Sequence, residues 1–109
     1  MTILKIPLGQ KIVIKFSKKG DMKFVSHLDL MRLFQRALRR EAFPITMTKG
    51  FNPHPKFSIK RALKLGVESE NEEAIFYLDS LIEPIEFRQR LSKQLPEGIM
   101  IKDAKTDTD

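Results

Sequence analysis

The fold is decided by residues 11–44, KIVIKFSKKGDMKFVSHLDLMRLFQRALRREAFP, in which a strand pattern is followed by a helix pattern. Residues 11–16, KIVIKF, alternate basic and apolar side chains, as a half-buried strand does. Residues 18–21, KKGD, are a turn signal, and residues 22–25, MKFV, are predicted to continue as a short extended piece. This segment therefore predicts a strand followed by a helix at the start of the domain.

The helix is predicted to begin at Ser26. Ser26 and Asp29 have the spacing of a capping box, although Asp in place of Glu or Gln makes the box a weaker version. An apolar stripe then recurs at helical spacing and is expected to face the core: Leu30, Met31, Phe34, Ala37 and Leu38. The helix is predicted to end near residues 41–43, because Pro44 disfavours helical backbone in the residue before it.

The rest of the chain supplies the other elements of the fold. They are a strand over residues 44–48, a strand over 57–67 that bends at Gly66, a polar connection over 69–73, a strand over 74–79, a helix over 83–95 and a strand over 98–104. Read coarsely, with each half of the chain supplying a strand, a helix and a strand, the order is β-α-β-β-α-β. This order predicts an α+β, ferredoxin-like split sandwich, an antiparallel sheet with both helices on one face. We expect residues 1–104 to form this single domain and residues 105–109 to be a tail or a truncated edge.

The composition excludes several classes of site. The 109 residues contain no cysteine, which excludes a disulfide, a thiolate nucleophile, a cysteine-ligated zinc and an iron–sulfur cluster held by this chain. A reducing cytoplasm is therefore the simplest location. The longest apolar runs fall far short of a membrane span, so no membrane partner is predicted.

Charge is distributed unevenly along the chain. Residues 1–61 contain 14 Lys and Arg residues against 3 Asp and Glu residues, whereas residues 62–109 contain 6 basic and 11 acidic residues. A basic half followed by an acidic half has two interpretations: it binds a polyanion, or the two halves solvate and balance each other.

The first candidate binding element is the polar face of the predicted helix. Arg32, Arg36, Arg39 and Arg40 recur at helical spacing on that face. Arginine donates bidentate, charge-assisted hydrogen bonds to phosphates, so these residues are predicted to bind nucleic acid. The alternative is a solvated helix face in which Asp29 and Glu41 are local partners.

The second candidate element is the loop TKGFNPHPK, residues 48–56. Gly50 permits unusual backbone angles, while Pro53 and Pro55 restrict theirs, so the loop is predicted to be stiff. The side chains it presents for RNA are Lys49, Asn52, His54 and Lys56. Phe51 is expected either to stack on a base or to bury itself, and the alternative to an RNA site is a structural corner with Phe51 and Phe57 in the core.

Catalysis and metal binding receive less support from the residues. His27 and His54 are the candidates for acid–base catalysis, but no nucleophile completes a triad with either of them. They are also the only histidines and lie far apart in sequence, so no metal site is predicted. Phosphate-binding glycine motifs are absent as well, and no cofactor is predicted.

Residues 24–59 and 63–79, FVSHLDLMRLFQRALRREAFPITMTKGFNPHPKFSI and LKLGVESENEEAIFYLD, resemble the radical-SAM-linked protein family, a domain of unknown function. The resemblance spans roughly residues 11–104 and suggests the N-terminal portion or a short form of that family. It carries over these motif residues: Ser26, His27, Asp29, Arg32, Arg36, Gly50, Asn52, Pro53, Pro55 and Lys56. It also implies a radical SAM protein as partner, in cis or in trans.

Taken together, these observations predict an accessory RNA-binding or substrate-binding domain associated with a radical SAM enzyme, with no activity of its own. One alternative is a metal-independent ribonuclease that uses His27 or His54. The other is a protein-interaction module that docks the acidic segment Glu68–Glu73 on the radical SAM partner.

Overall fold

The structure, a computed structural model, describes residues 9–62 and 64–107. In chain order the elements are β1 (Gln10–Lys18), a 3₁₀ helix (Gly20–Phe24), α1 (His27–Arg40), β2 (Phe57–Ile59), β3 (Ser69–Leu78), α2 (Pro84–Lys93) and β4 (Ile99–Thr106). The four strands form one sheet in the order β2-β3-β1-β4, and every neighbouring pair is antiparallel. Among the described residues, no helix has the length and apolar character that a membrane span requires.

The core lies between one face of this sheet and the two helices. Alternate residues of the two central strands are buried, namely Ile12, Ile14 and Phe16 in β1 and Ala74, Phe76 and Leu78 in β3. The ring centroid of Phe76 lies 5.8 Å from that of Phe34 in α1 and 5.3 Å from that of Phe87 in α2. Because one side chain of the sheet contacts both helices, α1 and α2 pack on the same face. The predicted ferredoxin-like split sandwich is confirmed.

The end of α1 is a strained turn. The Ala42 N–H donates to the Arg39 carbonyl at 3.0 Å and the Phe43 N–H to the Leu38 carbonyl at 3.4 Å, the bonding pattern of a Schellman motif. That motif places its central residue in the left-handed conformation, and Ala42 has a φ of 52°. Alanine thus occupies a position where glycine is usual, and the helix ends there, within the range predicted.

The prediction for residues 22–25 was wrong. They were expected to be extended, but the chain forms a 3₁₀ helix over Gly20–Phe24. Its turns are closed by the Met22 N–H, which donates to the Lys19 carbonyl at 3.2 Å, and by the Val25 N–H, which donates to the Met22 carbonyl at 3.0 Å.

The prediction of a polar connection over residues 69–73 was also wrong. These residues are the first half of β3, where Glu72 pairs with Phe16 and Glu73 pairs with Lys15 of β1. Glutamate has a low strand propensity, but pairing with a central strand outweighs it when the carboxylates find cationic partners.

The strand predictions around the loop were only partly right. Residues 44–48 form no continuous ladder and contribute two isolated bridges, Ile45 with Leu78 and Met47 with Pro55. Among the described residues of 57–67 only β2 is a strand, and the predicted bend at Gly66 is a turn. At the other end, β4 extends through Lys105 and Thr106, which pair with Val13 and Ile12, so the sheet reaches two residues into the predicted tail. Residues 1–8, 63, 108 and 109 lie outside the described part of the chain.

The strain at Ala42 gives a stability prediction. The left-handed conformation costs a non-glycine residue about 1–2 kcal/mol, and the freedom of glycine in the unfolded chain offsets about 0.4–1 kcal/mol of that. We therefore expect Ala42→Gly to raise the free energy of unfolding by roughly 0.5–1 kcal/mol, measured by urea denaturation. The control is Ala62→Gly, an exposed alanine without a positive φ, which should be neutral or slightly destabilising. Equal effects of the two substitutions would contradict the assignment of strain to Ala42.

Candidate nucleic-acid interface

The cap of α1 fixes where the helix begins, and its apolar stripe fixes which face is buried. The Ser26 hydroxyl accepts a hydrogen bond from the Asp29 N–H at 3.1 Å, which confirms the Ser26 half of the predicted capping box. The Asp29 carboxylate accepts from Arg32 at 3.4 Å. The buried face of the helix carries Leu30, Phe34, Ala37 and Leu38, four of the five residues of the predicted stripe. Met31 is partly buried against the same core. The arginine side of the helix is consequently turned to solvent.

All four arginines of α1 are exposed: Arg32, Arg36, Arg39 and Arg40. Arg32 lies 3.4 Å from the Asp29 carboxylate, but both side chains are about 60% exposed, and such surface pairs contribute little. Among the described residues, Arg36, Arg39 and Arg40 have no ion-pair or hydrogen-bond partner for their guanidinium groups.

Glu41, the other expected local partner of these arginines, is engaged elsewhere. Its carboxylate accepts from Arg90 Nε of α2 at 3.1 Å and from Gln94 Nε2 at 2.6 Å. These hydrogen bonds, from Gln94 first and then from Arg90, hold the pKa of the Glu41 carboxyl below its ordinary value. The acid that follows α1 therefore ties the two helices together, and Arg36, Arg39 and Arg40 have no ion-pair partner among the described residues.

An open groove runs between the C-terminal parts of α1 and α2. It has a volume of about 450 Å³, and its charged lining residues are Arg36, Arg40 and Lys93, all cationic. Lys93 was not predicted as a site residue, because its proximity to the arginines arises only when α2 packs beside α1. The groove thus brings together two of the predicted site residues with a third cation.

The loop of residues 48–56 is held by its own hydrogen bonds. The Thr48 N–H donates to the His54 carbonyl at 2.8 Å, and the His54 N–H donates to the Thr48 hydroxyl at 3.1 Å. At the base of the loop the Lys56 N–H donates to the Thr46 carbonyl at 2.7 Å. Gly50 has a φ of 137°, a conformation that glycine adopts most readily. These contacts agree with the stiffness predicted from the sequence.

The predicted loop side chains are all at the surface. Lys49, Asn52, His54 and Lys56 are exposed, whereas Pro55 is buried. Phe51 is fully exposed at the tip, so the alternative that placed it in the core is wrong. Phe57 is buried, as that alternative expected.

The loop and the arginines of α1 lie on different elements of the fold. The loop is attached to the sheet at the end of β3. There the Thr46 N–H donates to the Tyr77 carbonyl, and the Tyr77 N–H donates to the Lys56 carbonyl. The arginines lie on the outer side of the helical layer. Within the described part of the chain, no hydrogen bond or ion pair joins the two groups, and their joint contact with one RNA stays a prediction.

Neither histidine is paired with a carboxylate in the described residues. His27 is the first residue of α1, and its Nδ1 is buried without a hydrogen-bond partner. His54 Nδ1 lies 3.0 Å from the Asn52 carbonyl oxygen and 3.3 Å from the Thr48 hydroxyl, both within the loop. No group of three or more potential metal ligands occurs among residues 9–62 and 64–107.

A cluster of charged side chains, which was not predicted from the sequence, surrounds the buried carboxylate of Glu72. It lies where β1 and β3 continue the core face. The side chain of Glu72 is only 1% exposed and accepts from Arg61 Nε at 3.0 Å and Nη2 at 2.7 Å, and also from the Ser69 hydroxyl. The hydrogen bond from Arg61 is the main reason why the pKa of Glu72 lies below its ordinary value. Burial lowers the pKa of Lys18, which donates to the Val25 carbonyl at 2.6 Å, and the charge of Glu72 partly offsets that effect.

The other carboxylates of the acidic segment Glu68–Glu73 also have internal partners. Glu70 pairs with Lys19 at 2.7 Å and with Lys102 at 3.1 Å, and Glu73 pairs with Lys60 at 3.3 Å. Glu68 accepts from the Gly20 N–H at 2.7 Å. Glu70 and Glu73 thus have cationic partners within the domain, while Glu68 accepts from a neutral backbone amide.

Comparison with known proteins gives a family for most of the chain. Residues 11–108 match the family described as "Uncharacterized protein conserved in bacteria (DUF2344)". No curated protein matches the chain. The family description names no substrate or partner, so the association with a radical SAM enzyme is not part of this finding.

The buried cluster predicts a pH dependence of stability. Because the folded-state pKa of Glu72 is depressed, its carboxylate contributes stability above the unfolded pKa of about 4.3 and loses that contribution as the pH falls through the folded-state pKa. We expect Glu72→Gln to be less stable than the wild type at neutral pH and to lose less stability on acidification, as measured by urea denaturation across the acid range.

The control for this prediction is Glu97→Gln, an exposed carboxylate near the start of β4. It should leave both the neutral stability and the acid slope nearly unchanged. Parallel pH profiles for the wild type and Glu72→Gln would show that Glu72 does not govern the acid response.

Proposed function

We propose that this chain, which belongs to the family of uncharacterized bacterial proteins DUF2344, is an accessory domain that binds RNA and has no catalytic activity of its own. The observation that carries the proposal is the set of cations without an acidic partner on α1. Arg36, Arg39 and Arg40 have none among the described residues, although the chain contains 14 acidic residues.

The distribution of ion pairs supports a polyanionic ligand. Glu41 pairs with Arg90, and Glu70 pairs with both Lys19 and Lys102. Glu72 pairs with Arg61, and Glu73 pairs with Lys60. A surface that only needed solvation would not require Arg36 and Arg40 to cluster with Lys93 along one groove. Guanidinium groups bind phosphates in bidentate fashion, and the phosphate backbone supplies most of the affinity for nucleic acids.

The loop supplies a different kind of contact. Phe51 projects from a tip that is held by hydrogen bonds between Thr48 and His54, so the ring is presented at low entropic cost. Every base has an aromatic face, and unpaired bases stack on such rings in single-stranded or looped RNA. Lys49 and Lys56 flank the tip and are available for phosphates.

The resemblance to radical-SAM-linked proteins extends the proposal to a partner. Iron–sulfur clusters are held by cysteine thiolates, and these 109 residues contain none. We propose that the cluster belongs to a separate radical SAM protein or domain and that this domain recruits the RNA substrate to it. The motif segments SHLDLMR, RALRR and GFNPHPK, which carry the resemblance, are the segments that present the arginines and the loop.

The arginines of the groove predict a specific loss of binding. Each phosphate contact to single-stranded RNA contributes about 0.7 to the slope of log K against log salt. Arg36→Gln/Arg40→Gln should therefore weaken binding to cellular RNA at low salt and make the salt slope shallower by about 1.4, as measured by fluorescence anisotropy or filter binding.

The matched control for the groove is Lys64→Gln/Arg88→Gln, which removes the same charge from exposed positions outside the groove. It should leave the slope nearly unchanged. Equal losses in both double variants would show that only total charge matters. Undetectable or salt-insensitive RNA binding by the wild type would refute the proposed function.

The loop predicts a separation of binding from stability. Since Phe51 is fully exposed, Phe51→Ala should leave the midpoint of thermal unfolding unchanged. Loss of one base–aromatic stack should weaken binding to single-stranded RNA by roughly 1–3 kcal/mol. Phe51→Tyr, which keeps the ring, serves as the control and should retain the affinity. An unchanged affinity in Phe51→Ala would exclude the tip from the interface.

A further inference from the structure

The sheet has a second face that neither described helix covers. Both α1 and α2 pack against the side that carries Ile14, Phe16 and Phe76. The opposite side is formed by the alternate residues of the same strands, here called the open face: Lys11, Val13 and Lys15 of β1, Glu73, Ile75 and Tyr77 of β3, Ser58 of β2, and Asp103 and Lys105 of β4. Lys56 and Lys60, which flank β2, lie beside it. Of these residues, only Lys56 was predicted from the sequence to bind RNA.

Tyr77 is the aromatic centre of the open face. It lies directly opposite Lys11 in the antiparallel pair of β1 and β3. The Lys56 ammonium lies 4.5 Å from the centroid of the Tyr77 ring, and the Lys11 ammonium lies 5.9 Å from it. Val13 and Ile75 pair next to this position and extend the apolar floor. One flat ring thus lies on an apolar strip with a cation on either side.

The charge of the open face matches a polyanion. It contains or adjoins five lysines, of which Lys15, Lys56 and Lys105 form no ion pair with any described residue. The carboxylates on or beside this face are Glu73, which is 3.3 Å from Lys60, Asp107, which is 4.0 Å from Lys11, and Asp103, which lies opposite Lys15 in the register of β1 and β4. The face therefore keeps a cationic excess around its single aromatic ring.

We propose that the open face binds unpaired bases of single-stranded RNA, with Tyr77 as the stacking platform and Lys11 and Lys56 as contacts to the flanking phosphates. The inference rests on the proposed RNA binding and specifies the form of the ligand. Unpaired nucleotides expose both the aromatic base faces and the phosphates, whereas a duplex hides the base faces within its stack. Lys56 belongs both to this face and to the loop of residues 48–56, so the face is continuous with the loop.

Stacking on Tyr77 requires only a small rearrangement. Tyr77 and Lys11 are half-buried, whereas Lys56 is exposed. An exposed ammonium–ring contact such as that of Lys56 is weak, so a base displaces it at little cost. The long side chain of the displaced lysine is flexible, so its ammonium group then pairs with a nearby phosphate. The apolar strip of Val13 and Ile75 then lies beneath the neighbouring base.

The composition of the chain provides a direct readout. Tyr77 is the only tyrosine and the chain has no tryptophan, so the intrinsic emission of the protein reports on this ring alone. The experiment titrates the full chain with oligouridylate at low salt and follows both RNA anisotropy and tyrosine emission. N-acetyltyrosinamide at the same absorbance corrects for light absorbed by the RNA. Inorganic polyphosphate, which has phosphates but no bases, is titrated in parallel.

The expected result is quenching of tyrosine emission by oligouridylate that follows the anisotropy curve, with no quenching by polyphosphate. Anisotropy that reports binding while emission stays constant would overturn the open face as the base site and leave the proposed RNA binding standing. Failure of the wild type to bind oligouridylate and cellular RNA alike would overturn both proposals. Equal quenching by polyphosphate would assign the signal to charge and overturn the stacking role.

Two variants test the ring by affinity. Tyr77→Phe keeps the stacking surface and should bind with the affinity of the wild type. Tyr77→Val keeps a strand-forming residue but removes the ring, and it should bind about 5- to 150-fold more weakly, the effect of one lost stack. Circular dichroism and the unfolding midpoint establish that both variants are folded. Equal affinities of the two folded variants would overturn the role of Tyr77.

Discussion

The contact of Phe76 with both helices is the interaction on which the rest of this structure depends. Its ring lies within 6 Å of Phe34 in α1, Phe57 in β2 and Phe87 in α2, so one side chain of a central strand joins both layers. Because both helices must bury their apolar faces against it, the arginine side of α1 points to solvent. The same constraint leaves the other side of the sheet uncovered by either described helix. Both cationic surfaces therefore follow from a single packing arrangement.

Within the described part of the domain, some charged side chains form ion pairs and others do not. The acids that pair internally act at structural junctions, as Glu41 does between the helices and Glu72 does at the end of the central strands. A buried carboxylate requires such partners, because an uncompensated charge away from water is costly. In contrast, Arg36, Arg39 and Arg40 of α1 and Lys15, Lys56 and Lys105 of the open face form no ion pair within the described part of the chain. The uneven charge of the two halves of the chain is therefore only partly cancelled by folding.

Local pattern was sufficient to predict most of the fold. The alternation of residues 11–16 and 74–79 and the apolar stripe of α1 directly report which side chains are buried. The prediction for residues 69–73 failed because their strand character depends on ion pairs with Lys19, Arg61 and Lys102, which lie in other parts of the chain. The site followed the same rule. Exposure of the arginines and the stiffness of the loop are local properties, whereas the position of Lys93 and the open face around Tyr77 depend on tertiary packing.

The sheet order also has a consequence for how the chain acquires its structure. Of the four strands, the central strand β1 is synthesised first. Its two partners, β3 and β4, come much later in the chain, and β4 ends at Thr106. Such pairing between distant segments gives a high contact order and slows folding. While the chain emerges from a ribosome, the basic half is exposed before the acidic half that pairs with it. The arginine-rich helix and the loop are thus made early and are fixed in place late.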